Sequence, residues 1–222
     1  MAYLKQAKFY SYLLFNWSPS IAWHMYKHDR KGERKYRVST AFSDNLKHLE
    51  NDGIDISHST FYMPASYELL EKTFEFLQPL HLHHLVDIGC GMGRAMAVAA
   101  HYDFKKITGI DLSEKLCIAA AKNMQVVKKH HPEVAIKVMM QDAFYYEIPD
   151  DADCIFLFNP FDAVVLKQVL KNIDTSRRSH RRKIFLVYLS SQYDDILSAS
   201  GYKKIWHFEK LYYLRSSVYL LE

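Results

Sequence analysis

Val86-Asp87-Ile88-Gly89-Cys90-Gly91-Met92-Gly93-Arg94 decides the fold of this 222-residue chain. The short apolar run His84–Ile88 stops at three glycines within five positions. An alanine-rich stretch, Met92–His101, follows. That order reads as strand, tight turn, helix. The chain holds only seven glycines, where average usage of roughly 7% would give about fifteen. The cluster is therefore a local demand for positive φ or for close approach of a ligand to the backbone.

Downstream the alternation continues. Strands are predicted at Lys106–Ile110, Val134–Met140, Cys154–Phe158 and Lys183–Leu189. Helices are predicted at Ser113–Lys129, capped by Ser113, at Asp162–Ile173 and at Tyr193–Ala199, closed by Gly201. Tyr202–Phe208 and Val218–Leu221 have no convincing helix between them and are expected to form an antiparallel hairpin at one edge. Strands alternating with helices imply right-handed crossovers and a parallel sheet covered on both faces. The fold class is thus α/β, a doubly wound Rossmann-like sheet, mostly parallel, with a C-terminal antiparallel hairpin and an N-terminal helical cap.

Upstream, residues 1–57 read as irregular helices and loops, broken at Ser18-Pro19-Ser20, with a turn at Asp52-Gly53. Ser66 is expected to cap a helix carrying Leu69, Leu70, Phe74 and Leu77 on one face and ending before Pro79. The division into domains is a basic, aromatic-rich cap over 1–57 and a catalytic domain over 58–222. Residues 1–40 hold eight Lys/Arg against Asp29 and Glu33, and nine aromatics. The net charge of +4 therefore splits into +6 there and −2 elsewhere. Such a segment is either a partner-binding arm for a polyanion or a pair of amphipathic helices packed on the main domain. The second reading ranks first, because no nucleic-acid module is present.

Composition is that of a globular protein, with 49% apolar and 24% charged residues, which excludes overall disorder and low complexity. Three widely spaced cysteines, Cys90, Cys117 and Cys154, give neither a disulfide framework nor a metal spacing. A reduced, cytoplasmic setting is expected. No apolar run of about 18 residues predicts a membrane span. No metal site is expected: His81, His83 and His84 read as a solvated loop, because alternate residues point to different sides and no Cys or carboxylate completes a set. The basic run Arg177 to Lys183 reads as a solvated connection.

The glycine turn lies where doubly wound sheets bind ligands, beyond the carboxyl ends of the strands. Dinucleotide enzymes use G-x-G-x-x-G, and position 94 here is Arg. The pattern D-x-G-x-G-x-G instead resembles motif I of class I S-adenosylmethionine-dependent methyltransferases. Thr108-Gly109-Ile110-Asp111-Leu112-Ser113, Gln141-Asp142-Ala143 and Asn159-Pro160-Phe161 fall in order where that family places its later motifs. Ser59-Thr60-Phe61-Tyr62-Met63-Pro64-Ala65-Ser66-Tyr67 is similar to a Y-x-P segment in a bacterial group that also carries G-x-G-x-G-R and N-P-F.

The resemblance implies the following roles. S-adenosyl-L-methionine is the cofactor and S-adenosyl-L-homocysteine the product. Asp87 faces the ligand's ammonium. Gly89, Gly91 and Gly93 admit its methionine portion, with the carboxylate near the loop amides. Asp111 accepts from the ribose hydroxyls, which suits an acceptor-only carboxylate. Leu112 packs on the adenine, Asp142 accepts from its amino group, and the Ala143 amide donates to a ring nitrogen. Tyr62 and Pro64 lie over the cofactor as a lid. Apart from the resemblance, Arg94 is read as pairing with a nearby carboxylate, with a substrate contact as the alternative.

Asn159, Pro160 and Phe161 resemble the [D/N/S]-P-P-[Y/F] motif of methyltransferases acting on nitrogen. Proline would hold Asn159 extended, with its oxygen accepting from an acceptor N–H. One proline is missing and Asp162 follows, which weighs against nucleobases. The acceptor expected is a nitrogen on a protein side chain or a small molecule, with nucleic acid kept as a less favoured alternative. Two alternatives are an NAD(P)-dependent Rossmann oxidoreductase and a non-catalytic methyltransferase-like binding module.

Overall fold

The structure, a computed structural model, describes residues 2–42, 49, 56–58 and 62–222. The expected Asp52-Gly53 turn and the Ser59 to Phe61 part of the Y-x-P segment lie outside those residues.

Seven strands form one sheet in the order β3-β2-β1-β4-β5-β7-β6. They are β1 (His84–Ile88), β2 (Lys106–Asp111), β3 (Ala135–Met140), β4 (Cys154–Phe158), β5 (Ile184–Leu189), β6 (Lys203–Lys210) and β7 (Leu214–Leu221). The pairs among β1 to β5 are parallel, and β7 is antiparallel to both β5 and β6. This is the doubly wound, mostly parallel sheet with an antiparallel C-terminal pair that the order of elements in the sequence implies. The chain order reverses direction at β1, between β2 and β4, so the carboxyl end of β1 is the switch point at which such sheets bind ligands.

Alternate residues feed two cores, because successive side chains of a strand leave opposite faces. Leu85, Ile107, Cys154 and Phe156 pack on one side with α3 (Tyr67–Leu77), α4 (Arg94–Ala99) and α5 (Glu114–His130). Val86, Ile88, Ile155 and Leu157 pack on the other with α6 (Ala163–Ser179) and α7 (Asp194–Ala199). Ser113 caps α5 by accepting from the Leu116 amide, and Asp162 caps α6 by accepting from the Val164 and Val165 amides. Ser66 stands at the cap position of α3, but its hydroxyl makes no cap bond and lies 3.3 Å from His24 Nε2.

At the N-terminus, α1 (Ala2–Asn16) and α2 (Pro19–Tyr36) share a small core of Phe9, Leu13, Ile21 and Met25. The expected break is real: Ser18 accepts from the Ile21 amide and Pro19 occupies the first turn of α2. Helix α2 packs against α3. Gly32 is there because any Cβ would overlap the Tyr67 ring. Tyr36 stacks on the same ring at 5.5 Å between centroids, and its hydroxyl donates to Glu71 at 2.8 Å. Among the described residues, the basic helix is thus packed on the sheet domain.

His84 departs from the expected solvated tract. It is fully buried in β1, with Nδ1 2.8 Å from Asp151 and Nε2 2.9 Å from Thr108 Oγ1. Arg182 of the basic run is also tied down, donating to the carbonyls of Ala152, Ser176, His180 and Pro149.

Candidate active site at the switch point

A cavity of about 420 Å³ opens beyond the carboxyl ends of β1, β2 and β4. That is the size of a pocket for a drug-sized ligand. Its floor holds Asp87, Gly89, Cys90, Arg94, Asp111 and Leu112. Asp142, Ala143 and Phe144 lie on one side, and Tyr62, Met63 and Pro64 above. Phe158, Pro160, Phe161 and His58 lie on the remaining side. Residues from all five quoted sequence stretches therefore meet in one place.

The glycine loop explains the shape of the floor. Gly89, Gly91 and Gly93 have φ of +80°, +54° and +78°, a region that side chains with a Cβ rarely adopt. A Cβ on Gly89 would stand 2.7 Å from Pro160, and one on Gly91 would overlap the Tyr62 ring. Gly91 and Gly93 consequently shape the turn without lining the cavity. Gly93 faces Met124 and Ala120 instead.

The loop amides are already used. Those of Gly89 and Cys90 donate to the Ile110 carbonyl, that of Gly93 to the Cys90 carbonyl, and that of Gly91 to Asp111 Oδ2 at 2.8 Å. A carboxylate near this loop would therefore meet amides that already have acceptors within the chain. The cation facing this region is Arg94. Its Nη1 donates to Asp29 Oδ1 at 2.6 Å and to the Ala65 carbonyl at 2.7 Å, and Nε donates to Thr40 at 2.6 Å. Its Nη2 is buried without a hydrogen-bond partner among the described residues, 3.9 Å from Glu33. Arg94 pairs with a carboxylate, as the sequence suggests, but that carboxylate comes from the N-terminal helix.

Two acids at the floor are held out of water. Burial, helped by the nearby Asp111 charge, pushes the Asp87 carboxyl up to about 8. Burial also pushes Asp111 up, while hydrogen bonds from the backbone amides of Ser113, Gly91 and Leu112 oppose that push. Asp142 Oδ1 accepts from the Phe144 amide at 2.8 Å, which fixes the turn after β3.

On the far side, Asn159 differs from the extended conformation expected before a proline. Its φ is +40°, a left-handed value that Asn tolerates better than most residues. Its Oδ1 accepts from the Tyr188 hydroxyl at 3.4 Å, so Pro160 and Phe161, not Asn159, reach the wall. Sequence reasoning passed over His58. Its Nδ1 lies 2.7 Å from Asp162 Oδ2, and the Asp162 amide donates to the His58 carbonyl at 3.0 Å. The only sequence signal was the Asp directly after N-P-F.

Comparison with known proteins bears on this geometry. Residues 86–185 match the family model of a methyltransferase domain. The enzyme class that follows is a methyltransferase, and S-adenosylmethionine is the cofactor that the domain implies. Similar folds include a SAM-dependent methyltransferase from Aquifex aeolicus, at 16% identity and a TM-score of 0.53 over 71% of this chain and 94% of that one. The methyltransferase domain of bacterial CtHen1-CN is similar at 13% identity and a TM-score of 0.52, over 68% and 97%. The PH0226 protein of Pyrococcus horikoshii OT3 is similar at 16% identity and a TM-score of 0.50, over 78% and 99%. No curated protein matches the chain. No helix among the described residues is long and apolar enough to cross a membrane.

The residues present fit that cofactor. A buried carboxyl with a raised pKa, lining the same cavity as an arginine whose Nη2 has no hydrogen-bond partner among the described residues, suits an amino-acid head that brings both an ammonium and a carboxylate. A second carboxylate at the end of β2 suits a ribose.

Proposed function

We propose that this methyltransferase transfers its methyl group to a nitrogen, on a protein side chain or a small molecule, within a domain spanning about 58–222 under a cap of residues 1–57. The observation that carries the reading is the contact between Pro160 and Gly89. It sets the N-P-F loop directly against the glycine loop, so an acceptor held there would meet the cofactor's methyl. The sulfonium of S-adenosylmethionine supplies an activated methyl for in-line displacement. The protein's part is positioning, which can supply much of the rate.

In this reading Asp87 holds the ammonium and Asp111 the ribose hydroxyls. Asp142 and Ala143 hold the adenine edge, Leu112 packs on the adenine, and Tyr62 with Pro64 covers the ligand. Arg94 Nη2 takes the carboxylate that the occupied loop amides do not. Gly89, Gly91 and Gly93 keep the floor open, while Asn159 orients the loop from its bond to Tyr188. His58 and Asp162 stand on the acceptor side, where a nitrogen must shed its proton before it attacks. Three buried free thiols support a reducing, cytoplasmic setting.

Calorimetry with S-adenosylhomocysteine is expected to show binding that Asp111→Ala abolishes. Labelled methyl from S-adenosylmethionine, given to a lysate with the enzyme, is expected to enter nitrogen in the protein or small-molecule fraction. Label found only on oxygen, sulfur or carbon would overturn the acceptor assignment.

A further inference from the structure

We propose that His24, His28 and Glu68 bind one divalent transition-metal ion of the zinc type, outside the cavity, joining α2 to the start of α3. The two histidines stand one helical turn apart on α2, so their rings share a face. They stack at 4.2 Å between centroids. Both present Nε2 to the same carboxylate oxygen: Glu68 Oε2 lies 3.3 Å from His24 and 3.8 Å from His28. One ligand atom from each residue falls within a 4.8 Å group.

Those separations are long or out of range for hydrogen bonds, which run about 2.7 to 3.2 Å for nitrogen donors. They suit the edges of a metal tetrahedron. Zinc takes imidazole nitrogen and carboxylate oxygen at about 2.0 to 2.2 Å, which sets neighbouring ligand atoms about 3.3 Å apart. Two imidazoles with one carboxylate match borderline divalent ions, not Ca²⁺ or Mg²⁺.

Both rings turn Nε2 towards the carboxylate, and a neutral imidazole offers the lone pair of that nitrogen to a metal. His28 and Glu68 are half-buried, so an ion has a route in from solvent and a water can complete its shell. The competitors are Ser66, whose hydroxyl lies 3.3 Å from the same His24 Nε2, and Lys210 of β6, which donates to both Glu68 oxygens at 2.6 and 2.8 Å. A bound ion takes over that neutralisation, and the ammonium yields Oε2.

The test uses the full chain, stripped with a chelator and titrated with Co²⁺ for its visible absorption and with Zn²⁺ by calorimetry. One equivalent is expected to bind. His28→Gln should weaken binding by at least about tenfold while leaving circular dichroism and S-adenosylhomocysteine binding unchanged. Lys210→Met should tighten it. A wild-type chain that takes up no ion at one equivalent overturns the proposal, and so does binding that His28→Gln leaves intact. Neither outcome bears on the methyltransferase reading, because none of the three residues lines the cavity.

Discussion

Two ion pairs flank the same cavity and differ in almost everything else. Arg94 with Asp29 joins the floor to the N-terminal helix, and the two side chains are 4% and 1% exposed. His58 with Asp162 joins the acceptor side to α6, and those side chains are 48% and 38% exposed. Water screens the second pair, and the His58 contact holds the Asp162 carboxyl below its usual range. The first pair is locked, since Arg94 also holds Thr40 and the Ala65 carbonyl, while Asp29 accepts from the Tyr10 hydroxyl at 2.9 Å. Burial pushes the Asp29 carboxyl up, and Arg94 and Tyr10 oppose that push. One side of the cavity therefore carries a buried, many-bonded ion pair and the other an exposed one.

The sharpest way to break this contrast is Asp29→Ala. It leaves the buried Arg94 charge facing only Glu33, 3.9 Å from Nη2, a change that removes up to about 3 to 5 kcal/mol of stability. Chemical denaturation should show that loss together with weakened S-adenosylhomocysteine binding. A loss under about 1 kcal/mol would mean that the pair is not buried as described.

Asp87→Asn tests the rigid side next. Between about pH 4, where a free Asp titrates, and about pH 8, the folded Asp87 carboxyl binds more protons than the unfolded one. Wild-type stability therefore falls as pH rises through that window, by on the order of 1 kcal/mol per pH unit. The Asn variant lacks this slope. Its melting temperature relative to wild type should rise from pH 5 to pH 8, while it loses cofactor binding.

Gly32→Ala should destabilise by about 1 to 3 kcal/mol through overlap with the Tyr67 ring, although alanine is the better helix former by about 1 kcal/mol. A stabilised variant would show that α2 does not pack so closely. The smallest effect on stability is expected from His58→Ala, under about 1 kcal/mol for an exposed pair. Methyl transfer should nevertheless fall on the order of a hundredfold, the usual weight of a general base. Equal, small losses in both would leave His58 a surface residue.

How much of this the sequence discloses follows from distance along the chain. His84–Ile88 and Cys154–Phe158 are short, almost wholly buried runs bounded by turn residues, so their ends are readable to the residue. The caps at Ser113 and Asp162 are equally local. Strand β7 starts at Leu214, four residues before the apolar run Val218–Leu221 shows itself. Arg215, Ser216 and Ser217 mask it. Ser216 and Ser217 are buried because Thr73 Oγ1 and His207 Nδ1 meet their hydroxyls at 2.8 and 2.9 Å. The site divides in the same way. The glycine loop and the acids after β2 and β3 announce themselves by position. The partners of Arg94 and Asp162 lie 65 and 104 residues away, and no local pattern marks them.

The guanidinium of Arg94 also sets an order of events in time. It sits in the first turn of a six-residue helix, and three of its hydrogen bonds go to Asp29, Thr40 and Ala65, well before it in the chain. Placing Arg94 and fixing those segments are therefore coupled. The N-terminal helices are expected to be the last element to dock and the first to open. Amide hydrogens of α2 should exchange faster than those of β1 and β4, and any ligand that grips Arg94 should slow them from across the cavity.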